Sequence, residues 1–170
     1  MKTKALILLL ITQSCGQLEH QDFTHVFTNN ELPDHFIEPE FVPIIMEYAE
    51  MLKENQISTK LFKKIQRIEY KTINDTKSIT NGEVVNIIGK CSVYSSRDVF
   101  GKTKEYRLIE IDPKLTGDEV RDTLFHELGH CVNNLGHNED PGSIMYESAL
   151  DTDVNWEQRK EDLVSYIKGH

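Results

Sequence analysis

Apolar residues recur at helical spacing in some stretches of the chain and alternate at strand spacing in others. Phe41, Ile44, Ile45, Tyr48 and Leu52 fall on one side of a helix that Pro39 can open and that runs to about Asn55. Residues 65 to 73 set Ile65, Ile68 and Tyr70 among Arg67 and Glu69, a pattern that predicts a strand. Asn81-Gly82 is a turn signal, and Val84 to Tyr94 after it is rich in β-formers. Tyr106 to Asp112 predicts a further strand, which Asp112-Pro113 ends. Gly117-Asp118-Glu119 opens a second helix with acids in its first turn, where the helix dipole favours them. A last helix is expected from about Asn155 to Lys168.

The second helix carries His126-Glu127-Leu128-Gly129-His130. Positions four apart on an α-helix lie about 40° apart around the axis and one turn up, so both imidazoles leave one face toward a common metal ion. Leu124, Phe125 and Leu128 make the segment at least half buried, and buried imidazoles and a carboxylate need partners. The H-E-x-x-H pattern fits zinc, with Glu127 beside whatever water the metal holds. A catalytic zinc has three protein ligands and an open position. His137 is the candidate third ligand; Glu139 and Asp140 compete with it. His137 lies seven residues past His130, so the helix must stop and the chain must turn back. Asn133 and Asn134 suit that stop, because Asn tolerates the left-handed conformation that closes helices.

With Met145 following in Ser143-Ile144-Met145-Tyr146, the chain resembles the metzincin clan of zinc metalloproteases, whose pattern is H-E-x-x-H-x-x-G-x-x-H and then a methionine turn. His126, Glu127, His130, His137 and Met145 match in order. The third His comes one residue late, and Asn133 stands where the clan has glycine. That longer spacing is similar to a group of small bacterial zinc proteases, often lipoproteins, with H-E-L-G-H-C. The resemblance covers about residues 105 to 146 well. It implies an α+β fold, a minimal zincin-like domain: a small mixed twisted sheet, an N-terminal helix, the zinc helix, a Met-turn and a C-terminal helix. It implies one catalytic Zn2+, Glu127 as general base, and substrate bound by strand addition at a sheet edge within Ile87 to Tyr94. Tyr146 is either an oxyanion donor or a structural tyrosine. By analogy, Asp22 or Asp34 could cap the zinc in a latent form.

The N-terminus bears on location. Lys2 and Lys4 precede the seven-residue apolar run Ala5 to Ile11, which reads as a secretory signal. Spanning a bilayer takes about 20 apolar residues. Ser14-Cys15-Gly16 resembles a loose lipobox, so Cys15 is a candidate lipidation site, with simple secretion as the alternative. The expected organisation is a leader over 1–15, a tether or surface arm over 16–37 and a catalytic domain over 38–170. Export permits a disulfide between Cys91 and Cys131, with two separate buried thiols as the other reading. His20, His25, His35 and His170 are expected at the surface.

A net charge of −9 argues against nucleic acid as a partner. The expected activity is a zinc-dependent endopeptidase, a monomer acting on protein or peptide substrates. Its place would be the bacterial cell envelope, held to the membrane through lipid at Cys15. The alternative is a catalytically silent zinc-bearing binding protein of the same fold. A structural zinc domain would need a fourth protein ligand.

Overall fold

The computed structural model describes residues 6–11, 23–27, 36–74, 76–78, 84–97, 100–146 and 155–170. In chain order the strands and helices are β1 (Leu6–Ile11), β2 (Phe23–Phe27), β3 (Phe36–Ile37), α1 (Val42–Glu54), β4 (Ile65–Tyr70), β5 (Thr76–Ser78), β6 (Val84–Asn86), β7 (Gly89–Arg97), β8 (Thr103–Ile111), α2 (Asp118–Asn133) and α3 (Trp156–Lys168). The main sheet runs β2-β1-β7-β8-β4-β3, so β7 is paired on both sides and is not the sheet edge expected within Ile87 to Tyr94, while β5 and β6 pair by themselves. β4 is parallel to both β3 and β8, and β7 is antiparallel to β8, so the sheet is mixed and the fold is α+β. No helix among the described residues is long and apolar enough to cross a membrane.

The local chemistry explains where the elements start and stop. Pro39 opens a short 3-10 turn, Pro39–Phe41, that leads into α1. β4 ends at Tyr70, sooner than the alternation to residue 73 suggests. Ile73 is still buried, but its N–H donates to the Asp112 carboxylate at 3.2 Å, a side chain replacing the next strand partner. The same carboxylate takes the Lys114 N–H at 2.9 Å and shapes the turn after β8. Gly117 then precedes α2 with φ 54° and ψ −123°, a backbone state that only glycine occupies readily. Asn155 caps α3, its side chain accepting the Glu157 N–H at 2.8 Å.

The helices pack on one another and on the sheet, with α2 against β7 and β8. Phe41, Tyr48 and Leu52 join Ile68, Ile109, Ile111, Leu124, Phe125 and Leu163 in a fully buried core. Phe125 sits between two aromatic edges, Tyr48 at 5.0 Å and Trp156 at 4.8 Å between ring centroids. This packing locks one side of α2 into the core and turns the side bearing its two histidines toward the residues after the helix. A disulfide joins Cys91 of β7 to Cys131 of α2, with Cα atoms 5.7 Å apart, so helix and sheet are also linked covalently.

Candidate metal centre

α2 ends where Asn134 takes the left-handed conformation, φ 56° and ψ 33°. The Leu135 N–H then reaches back to the Gly129 carbonyl at 3.1 Å, closing the helix and reversing the chain. This reversal brings His137 to His126 and His130. One nitrogen from each of the three rings lies within 4.8 Å of the others. Glu139 and Asp140 are exposed, and neither belongs to a cluster of this kind among the described residues. The Asp140 carboxylate instead accepts the Gly142 N–H at 2.9 Å within the turn.

The donor set suits a cation. His126 Nδ1 meets the Ile144 carbonyl at 2.7 Å, and His130 Nδ1 meets the Leu135 carbonyl at 2.7 Å. A carbonyl can only accept, so each Nδ1 carries the hydrogen and, in the neutral ring, Nε2 keeps the lone pair. The two Nε2 atoms face each other at 3.0 Å. Tetrahedral zinc with bonds of about 2.0–2.1 Å would separate its ligand nitrogens by about 3.4 Å. The three histidines can therefore hold a metal ion, and their carbonyl partners are the outer contacts that fix ring orientation at such sites.

Beneath them lies the turn from Asn138 to Tyr146. The Asn138 N–H donates to the Met145 carbonyl at 2.8 Å, and Ser143 Oγ accepts the Met145 N–H at 3.2 Å. Met145 is fully buried and packs against Gly129, where a β-carbon would stand 2.4 Å from its sulfur. Tyr146 is half-buried and closes the turn, its N–H donating to the Ser143 carbonyl at 3.0 Å.

Glu127 is 2% exposed and faces the start of β7. Burial pushes its carboxyl up to about 8, against the opposing pull of a hydrogen bond from the Cys91 backbone N–H. Its Oε2 has no hydrogen-bond partner among the described residues. A buried carboxylate oxygen without a donor is costly, and a nearby cation or a bound water would relieve it.

No family model, curated protein or solved structure matches this chain.

The structure thus gathers His126, His130 and His137 into one cluster, with Met145 packed against Gly129 of the same helix and the Glu127 carboxylate turned toward Gly89 at the start of β7. Cys131 lies in the disulfide, and no fourth ligand joins the histidine cluster among the described residues. Cys15, Asp22, Asp34, His20 and His35 lie outside the described residues. His170 is exposed, with its Nδ1 2.9 Å from the Tyr166 carbonyl. Sequence reasoning missed the supports. The Tyr48 hydroxyl donates to Asn133 Oδ1 at 2.7 Å, and the Tyr166 hydroxyl donates to the His137 carbonyl at 3.1 Å. Gly89 presses on Glu127 so closely that a β-carbon there would lie 2.7 Å from Oε1. The one available signal was a glycine opening an otherwise β-rich stretch, which often marks a close backbone approach.

Proposed function

We propose that this chain is a zinc-dependent endopeptidase, exported and anchored to a bacterial envelope through lipid on Cys15, a maturation that would remove β1 (Leu6–Ile11) from the sheet. The observation that carries the reading is the pairing of two opposed features. Three imidazoles converge on one point, two of them with Nδ1 held by carbonyls, and the residue next to His126 on the same helix is a buried carboxylate, Glu127, whose Oε2 has no partner among the described residues. A binding or structural site has no use for that carboxylate, whereas hydrolysis needs a base next to the water.

Zinc held by three neutral imidazoles would supply Lewis acidity, bringing a water's pKa from 15.7 to about 7 and polarising a peptide carbonyl. Glu127 would take the water's proton and later give it to the leaving amine, so one carboxylate serves as base and then acid. The Cys91 N–H holds that carboxylate in place. Met145 and the turn around it support the helix from below at Gly129.

The test is zinc content and cleavage of an unstructured protein, measured for the wild type, Glu127→Ala and His137→Ala. The expectation is metal in the wild type, loss of cleavage with zinc retained in Glu127→Ala, and weakened zinc binding in His137→Ala. Zinc without cleavage of any unstructured substrate would reject the peptidase in favour of a binding protein. Absence of zinc binding would reject both.

A further inference from the structure

The link between the second and third histidines is one residue longer than in the clan pattern, and besides the buried Leu135 it is held from outside its own sequence. His130 and His137 are separated by a helix end, a left-handed residue and Gly136. Arg107, from the middle of β8, reaches this link from the sheet side. Its side chain is 6% exposed. Nη1 donates to the Cys131 carbonyl and, at 2.9 Å, to Asn134 Oδ1. Nε and Nη2 donate to Glu105 Oε1 at 2.8 and 2.6 Å, and Lys64 lies 3.3 Å from that same oxygen. One edge of the guanidinium is thus fixed by a carboxylate, and one nitrogen is committed to the helix end.

The Cys131 carbonyl is one of the last four of α2, which have no partner within the helix. A cation at that end also opposes the negative pole of the helix dipole. Asn134 sets the reversal, and the next residue, Leu135, supplies the carbonyl that orients His130. Two residues further on is His137.

We propose that Arg107 is a positioning residue for the metal centre, fixing the turn that orients His130 and delivers His137. This rests on the reading of the three histidines as metal ligands. Arg107 is not a member of the histidine cluster. It acts through Cys131 and Asn134, as outer-shell partners do when their loss lowers metal affinity about 10–100-fold.

The experiment is zinc affinity of the full chain, by competition with a chromophoric chelator, alongside thermal melting. The proteins are wild type, His137→Ala, Arg107→Met, Asn134→Gly and the double variant Arg107→Met/Asn134→Gly. Glycine keeps the left-handed backbone and removes only the side chain that Arg107 holds. Arg107→Met is expected to bind zinc about 10–100-fold more weakly. Asn134→Gly should weaken it too, and the double variant should be no weaker than Arg107→Met. A purely stabilising role would lower the melting temperature and leave zinc affinity at the wild-type value. That result, with His137→Ala weakened, overturns the proposal while sparing the ligand set. Additive losses in the double variant also overturn it. Unchanged affinity in His137→Ala instead removes the ligand reading beneath it. If Arg107→Met does not fold, Asn134→Gly decides alone, and wild-type affinity there rejects the proposal.

Discussion

A single methyl group placed on β7 should displace Glu127, the base of the proposed reaction, without touching the three clustered histidines. A β-carbon at Gly89 would stand 2.5 Å from Thr123 Cγ2, 2.7 Å from Glu127 Oε1 and 2.9 Å from Glu127 Cγ. Ordinary contact begins at 3.4 Å, so the threonine methyl must withdraw by 3.4 − 2.5 = 0.9 Å and the carboxylate oxygen by 3.4 − 2.7 = 0.7 Å. The helix cannot simply back away, because the Cys91–Cys131 bridge ties it to the same strand two residues on. Glu127 must therefore leave its place beside the Cys91 N–H. Overpacking of this kind costs about 1–3 kcal/mol. Misplacing a reacting group by about 1 Å can cost about 100-fold in rate. Gly89→Ala is expected to melt earlier, to keep zinc affinity, and to lose about 10–100-fold in turnover at unchanged KM. Urea unfolding, chelator competition and peptide hydrolysis read these separately. Wild-type stability together with wild-type turnover would refute the close approach, and loss of zinc would show that the helix had moved instead of the carboxylate.

Other expectations follow from contacts elsewhere. The disulfide closes a loop of 40 residues, for which the chain-entropy relation gives about 4 kcal/mol. The Cys91→Ser/Cys131→Ser variant should therefore lose about 2–4 kcal/mol in chemical denaturation, and an unchanged midpoint would argue that no bridge forms. Arg159 is 3% exposed and pairs with Asp122 at 3.1 Å, while its Nε and Nη2 have no partner among the described residues. Asp122→Ala should cost about 3–5 kcal/mol by stranding that charge, whereas removing exposed Glu157 from Lys160 should cost less than about 0.5 kcal/mol. Burial acts to raise the Glu105 carboxyl, but Arg107 and Lys64 outweigh it and hold the group below the usual carboxylate range. A depressed folded pKa gives stability that is present above the unfolded value and is lost as pH falls through the folded one. Glu105→Gln should flatten that acid limb in pH-dependent melts, and an unaltered slope would show that the pair contributes nothing there.

The parts legible in the sequence were those encoded by short spacing. The i, i+4 histidines, the acids opening α2 and the Asn pair at its end each act within one or two helical turns, so the pattern and its consequence lie together. His137 was legible because a metal needs another donor and the chain offers one soon after. The unread parts depend on residues distant in sequence. Tyr48 is 85 positions from Asn133, and Arg107 is 24 from Cys131. A tyrosine at a core spacing looks the same whether or not its hydroxyl reaches a helix end. Arg107 sits in a strand among Glu105 and Tyr106, where a charged residue reads as solvent-facing. Only the packing of the α2 C-terminal end over β8 buries it. The hold on Glu127 is a backbone N–H, which no side-chain pattern encodes.

The contact between Gly129 and Met145 bears on how such a site can change over time. With 2.4 Å between a prospective β-carbon and the resident sulfur, the two positions behave as one steric unit. A lineage that gains alanine at 129 before position 145 shrinks must pass through an overpacked ancestor, next to the clustered histidines. The reverse order leaves only a small gap, which later growth at 129 refills. Substitutions here should therefore be conditional on history, and each residue's tolerance readable only with the other's identity in hand.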